Sequence, residues 1–245
     1  MPQSEGACLV VGAGDGLGGA IAAAFAAEQF DVCVTRRPRH ADQLEALAEK
    51  IRGDGGHAHA FPLDAREETE VAALVDRIER DIAPLEVLVF NIGANVRFPL
   101  VETTTRVYTK VWEMAALAGF LAIREAARVM TPRGRGTILV TGATASARGG
   151  SGYSAFAGAK HALRALAQSA ARELGPKGVH IAHVLIDGMI DGTFARSIAA
   201  DAEQRLAREE ILDPREIARN FVWLHHQRRS AWTFEMDLRP FCEPW

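Results

Sequence analysis

"VVGAGDGLGG", residues 10–19, decides how the rest of this chain is read. A short apolar run, "ACLVV" (7–11), leads into it, and an alanine-rich stretch of helical period, "LGGAIAAAFAAE" (17–28), leaves it. A glycine turn between a strand and a helix lets backbone N–H groups close on a pyrophosphate, and the helix N-terminus adds partial positive charge. Two registers fit: Gly14, Gly16 and Gly19 as G-x-G-x-x-G, or Gly12, Gly16 and Gly18 as G-x-x-x-G-x-G. Both point to a bound dinucleotide. The plainer alternative is a tight turn with no ligand.

The second strand, "DVCVT" (31–35), ends at Arg36 and Arg37. A turn that prefers NAD places an acid there for the ribose 2′-hydroxyl, whereas a guanidinium suits a 2′-phosphate through charge-assisted bonds. The expected cofactor is therefore NADP(H), with a solvated basic loop as the alternative. Beyond it, β-branched runs alternate with longer helix-period runs. Further strands are expected at "HAHAFPL" (57–63), "LEVLVFN" (85–91), "GTILVTG" (136–142), "VHIAHVLI" (179–186) and "AWTFEMDL" (231–238). Helices are expected at 41–52, at 68–82, from about 104 to 130, and at 152–175, where Gly175-Pro176 ends the run. Asp213-Pro214 opens one more. Such alternation predicts a parallel sheet with helices on both faces, a doubly wound α/β fold in one domain.

The bulk properties agree. A chain of 245 residues, 48% of them apolar, suits one large α/β domain with a sizeable core. A net charge of −3 gives no electrostatic case for nucleic acid. Cys8, Cys33 and Cys242 show no metal-ligand spacing, and the first two fall in apolar strands, as suits a reducing compartment. The N-terminal segment lacks the basic and apolar regions of a signal peptide, and no apolar run approaches the roughly 20 residues that span a bilayer. A cytoplasmic protein is expected. The polar stretch 188–210 reads as a long loop, a candidate substrate lid. His57 and His59 alternate in a strand and His225-His226 end a helix, which suits surface or capping roles rather than metal binding.

Several segments together resemble the short-chain dehydrogenase/reductase superfamily over nearly the whole chain. "VGAGDGLG" (11–18) is similar to its T-G-x-x-x-G-x-G turn, with Val11 for the threonine. "LD" (63–64) matches the acid near adenine, and "FNIG" (90–93) matches N-N-A-G while keeping the second asparagine. "IDGMIDGT" (186–193) stands where the family has P-G-x-[VI]-x-T, with Asp187 for the proline and one extra residue before Thr193. The resemblance implies a Rossmann fold with seven parallel strands. It implies cofactor contacts from Gly12, Asp15, Gly16, Leu17, Gly18, Asp64, Asn91, Ile92, Gly93, Ile190 and Thr193, with Lys160 on the nicotinamide ribose. It also implies a homodimer or homotetramer, built on the long 104–130 helix and the helix that carries Lys160.

The family's active site is matched less well. Its usual Asn, Ser, Tyr and Lys align with Ala115, Ala143, Phe156 and Lys160, so three of the four groups are missing. Phenylalanine neither protonates nor stabilises an alkoxide, so the ordinary proton relay is absent. Tyr153 precedes Phe156 by three residues and would share its helix face, about 4.5 Å along the axis. The spacing from Tyr153 to Lys160, Tyr-x6-Lys, resembles that of enoyl-acyl-carrier-protein reductases, which reduce a C=C bond conjugated to a carbonyl. The alternative for Tyr153 is an aromatic on the pocket rim. Thr144, one residue out of register, either donates as the serine would or simply stops its strand. Tyr108 is read as packing.

The expected function is an NADP(H)-dependent oxidoreductase with a rearranged site, reducing an activated C=C or a carbonyl of a small molecule. The alternative is an NADP(H)-binding protein with little or no turnover.

Overall fold

The structure is a computed structural model in which residues 5–243 are described; the first four residues, where the segment read as lacking a leader begins, lie outside them. Seven strands form one parallel sheet in the order β3-β2-β1-β4-β5-β6-β7. They are β1 (Ala7–Val11), β2 (Asp31–Arg36), β3 (His57–Pro62), β4 (Leu85–Phe90), β5 (Thr137–Thr141), β6 (His180–Ile186) and β7 (Glu235–Leu238). Every residue of β1, β4, β5 and β6 is buried, as expected where helices cover both faces.

Side chains alternate between the two faces along each strand. Leu9 and Val11 join a core built with α3 (Glu68–Asp81), α5 (Ala118–Arg133) and α6 (Ser154–Leu174). Cys8 and Val10 join the opposite core, with α1 (Leu17–Ala27), α2 (Ala41–Gly53) and α9 (Pro214–His225). The strand order reverses between β1 and β4, so a crevice opens past their C-terminal ends. All seven strands fall where the sequence puts them.

Three details differ from the sequence reading. The long helix is α4 (Thr105–Trp112) and α5 joined by one π-helical turn, Glu113–Leu117, which contains Ala115. Helix α6 ends at Leu174, where Gly175-Pro176 was expected to end it; a 3-10 turn, Gly175–Lys177, follows, and Gly178 at φ +84° closes that turn. The supposed loop 188–210 holds two short helices, α7 (Thr193–Ile198) and α8 (Ala202–Ala207), pinned where Ile190 pairs with Leu212. His225 is a packed residue rather than a surface cap. Its ring stands edge-on to Phe25 and Phe30, and its Nδ1 lies 3.0 Å from the Thr137 hydroxyl. Burial pushes its pKa down to about 4. Among the described residues, no helix is long and apolar enough to cross a membrane.

Candidate active site

At the end of β1 the chain turns through Gly12 at φ +95°, a conformation only glycine adopts without strain. The N–H groups of Gly12 and Ala13 donate to the Thr35 carbonyl at 3.0 and 3.1 Å. Asn91 locks the turn to β4: its backbone N–H donates to Val11 at 2.8 Å and its side-chain amide to the Gly12 carbonyl at 3.1 Å. A Cβ on Gly18 would stand 2.5 Å from the Gly12 oxygen, so only glycine lets α1 pack this close to the strand. In front of the turn the space is open, with nothing within 4 Å of a Cβ on Gly16. A rigid back wall, an open front and a helix N-terminus fit a pyrophosphate. Asp15 accepts a hydrogen bond from Thr193, tying α7 to the turn.

To one side lies a cavity of about 240 Å³ lined by Gly12, Arg36, Arg37, Asp64, Asn91, Ile92 and Gly93, all expected from the sequence, together with His40 and Arg66. Arg36 donates to Gln43 at 3.0 Å. The pKa of Arg37 is lowered, first by burial and then by Arg39, with Arg66 and Arg36 adding to the crowding of positive charge. Arg66 forks onto Asp64 at 2.9 and 2.5 Å and reaches Glu113 at 3.3 Å. That contact holds the Asp64 carboxyl below its usual range. The sequence reading missed Arg66, although its backbone N–H bonds back to the Asp64 carboxylate two residues earlier, a turn that aspartate favours.

The main cavity holds about 580 Å³. Asp15, Gly16 and Leu17 of the glycine turn line it, together with Ile190, Thr193, Thr144, Tyr153 and Phe156. Arg148, Asn95, Met189 and Ile198 also line it and carried no sequence signal. Gly18 stands behind the turn. Lys160 is buried, 2% exposed, and its Nζ donates to the carbonyls of Thr141 at 2.9 Å and Ile92 at 3.2 Å. With no carboxylate partner among the described residues, burial pushes its pKa down to about 8. An ammonium has three donors, so one remains to be used.

Tyr153 differs from expectation in its backbone. It is the N-cap of α6 at φ −113°, ψ 23°, and the helix begins one residue later, so it does not share a helical face with Phe156. Tyr153 nonetheless packs against the apolar cluster that holds Phe156, Ala115 and Ala145. The Arg97 guanidinium lies over the Tyr153 ring, 5.8 Å from its centroid. The Thr144 hydroxyl donates to Asp187, so it faces the cavity as an acceptor rather than the spare donor anticipated from the sequence. Asp187 itself is 1% exposed, and its N–H donates to the Leu238 carbonyl at 2.8 Å, a bond that proline at this position could not make.

The family model described as short chain dehydrogenase matches residues 7–203. The chain is 35% identical over 182 residues to a short-chain dehydrogenase/reductase, eriH, of Hericium erinaceus, covering 72% of this chain and 71% of that one. It superposes on the crystal structure of a short-chain dehydrogenase from Rhodopseudomonas palustris with a TM-score of 0.81 at 47% identity, covering 96% of this chain and 99% of the other. A dehydrogenase/reductase from Sinorhizobium meliloti 1021 superposes with a TM-score of 0.80 at 26% identity, over 96% and 94% of the two chains. With the glycine turn, Asn91 and Lys160 gathered at one crevice, these likenesses establish that the chain belongs to the short-chain dehydrogenase family of nicotinamide-dependent oxidoreductases.

Proposed function

We infer that this protein is an NADP(H)-dependent oxidoreductase that reduces an activated C=C or a carbonyl of a small molecule, with Tyr153 in place of the missing acid. The observation that carries this reading is the cavity of about 580 Å³ that is lined both by Gly16 and Leu17 of the glycine turn and by Tyr153 and Phe156. A bound nicotinamide supplies a hydride to the substrate carbon. The substrate oxygen then carries negative charge, and Tyr153 donates a hydrogen bond and finally its proton to it. Phe156 and Met189 keep water from that oxygen, and the unused donor of Lys160 serves a ribose hydroxyl. Helices α7 and α8 act as the substrate lid, held to the turn by Thr193 and Asp15.

Arg36, Arg37 and Arg66 support NADP(H) over NAD(H), because their crowded positive charge is suited to a 2′-phosphate. The loss of the usual groups at Ala115, Ala143 and Phe156 favours the second reading, a binder with little turnover. NADPH oxidation against a panel of enones, enoyl thioesters, ketones and aldehydes, run beside a direct NADPH titration, separates the two. Turnover that depends on Tyr153 supports the enzyme. Micromolar NADPH binding without turnover on any of the panel supports the binder.

A further inference from the structure

Arg148 is the one basic side chain among the described residues that line the main cavity, whose walls are otherwise largely apolar. It is held in an unusual way. One nitrogen, Nη2, reaches the buried Asp187 carboxylate at 3.2 and 3.4 Å. The same carboxylate also takes the Thr144 hydroxyl at 2.5 Å and Arg239 at 3.2 Å. Elsewhere in this chain arginines fork onto carboxylates with two nitrogens, as Arg164 does on Glu235 at 2.6 and 2.7 Å and Arg239 on Asp237 at 3.1 and 2.6 Å. Arg148 spends one nitrogen on a long contact, and its side chain is 48% exposed, on the cavity side. Asp187 therefore aims the guanidinium without saturating it.

Nε and Nη1 keep their N–H groups off Asp187, and Nη2 has a second hydrogen, so a substrate carboxylate can take a charge-assisted bond from Nε or Nη1 with the spare Nη2 hydrogen beside it. The acids at the far end of the cavity are already engaged, Asp191 with Arg196 at 3.1 and 3.0 Å and Asp15 with Thr193, so they do not compete for Arg148. Resting on the oxidoreductase reading above, we propose that Arg148 is an anion subsite of the substrate pocket and that the substrate carries a carboxylate. The acid group docks on Arg148, the apolar walls take the carbon chain, and the reducible group is thereby set beside Tyr153. Arg97, over the Tyr153 ring and with no ion pair among the described residues, adds to the positive field there.

The test is a calorimetric titration of the NADP-loaded protein with 3-phenylpropanoate and hexanoate, each beside its neutral amide. The acids are expected to bind about tenfold or more tightly than the amides. The gap should close in Arg148→Gln and survive in part in Arg148→Lys, which keeps a charge beside Asp187. Melting curves for both variants check that the fold is kept. Equal binding of acid and amide, binding of neither at millimolar concentration, or a gap that Arg148→Gln leaves intact would each overturn the subsite. So would a tenfold loss of NADPH affinity in Arg148→Gln, which would assign the guanidinium to the cofactor's phosphates.

A second arm measures NADPH oxidation with 4-oxo-4-phenyl-2-butenoate and its ethyl ester. A lower KM for the acid that rises in Arg148→Gln supports the subsite. Turnover without discrimination sinks the subsite and leaves the oxidoreductase reading standing. Arg148-dependent binding of acids without turnover does the reverse.

Discussion

The Thr144 hydroxyl donates to the Asp187 carboxylate at 2.5 Å, joining the end of β5 to the end of β6 directly beneath the substrate cavity. Asp187 is 1% exposed, yet its two arginine partners are not stranded without it: Arg148 reaches water and Arg239 keeps Asp237. The cost of Asp187→Asn should therefore fall below that of breaking a fully buried ion pair, at about 1–3 kcal/mol. Thr144→Val should cost about 1 kcal/mol. Urea unfolding of the two variants checks the order, which is wrong if Thr144→Val proves the costlier change.

For the cofactor, NADPH should bind about tenfold or more tightly than NADH, the size of one or two charge-assisted contacts. Arg36→Asp should reverse the order, because it removes a guanidinium that flanks Gly14 and places a repelling carboxylate there. Fluorescence titration with both nucleotides reads this. Equal dissociation constants in the parent protein would refute the assignment of Arg36 and Arg37.

Tyr153→Phe should lower kcat by about 10²-fold or more, with little change in NADPH affinity, since it deletes a hydroxyl and leaves the ring in its cluster. Full turnover of Tyr153→Phe on a substrate that the parent reduces would remove Tyr153 from the mechanism. Phe156→Tyr should add some ordinary carbonyl reduction, held low by Ala115 and Ala143.

Lys160 should leave a mark on stability against pH. Its pKa is pushed down by burial to about 8, below its value in the unfolded chain. Between about pH 8 and 10.5 the unfolded state binds more protons, so stability attributable to Lys160 rises with pH across that window. Below pH 8 the penalty is constant and on the order of 3 kcal/mol. In the cofactor-free protein, Lys160→Met should flatten this rise relative to the parent when denaturant unfolding is followed from pH 7.5 to 10. Parallel curves would contradict the burial argument.

Assembly should run through the outer faces of α4 and α5, where Tyr108, Trp112 and Phe120 are each more than 40% exposed. A dimer or tetramer is expected in sedimentation, and Trp112→Glu with Phe120→Glu should shift it towards monomer. A parent protein that stays monomeric at all concentrations would exclude this interface.

The strands were legible because burial on both faces leaves an unbroken apolar run, as in "LEVLVFN", and the cofactor turn because glycine spacing reports backbone geometry directly. At the candidate site the sequence pointed to single residues, such as Lys160, one at a time. What escaped was pairwise. Nothing in the sequence ties Thr144 and Arg148 to Asp187, since the bonds span 43 and 39 residues. The place of Tyr153 before the helix escaped as well, because the alanine-rich periodicity of α6 runs back through it without a break.

The π-helical turn at Glu113–Leu117 sets the angle between two surfaces. Such a turn carries one residue more than a continuous α-helix would, about 100° of rotation. Tyr108 and Trp112 precede the turn, while Leu121 and Ala122, which pack on the core, follow it. Deleting one residue there would swing the exposed aromatics around the helix axis while leaving α5 seated on the sheet. The orientation of the exposed Tyr108–Trp112 face is in this way fixed by the count of residues in one turn, and a lineage can reset it by a single-codon insertion or deletion outside the residues that line the main cavity.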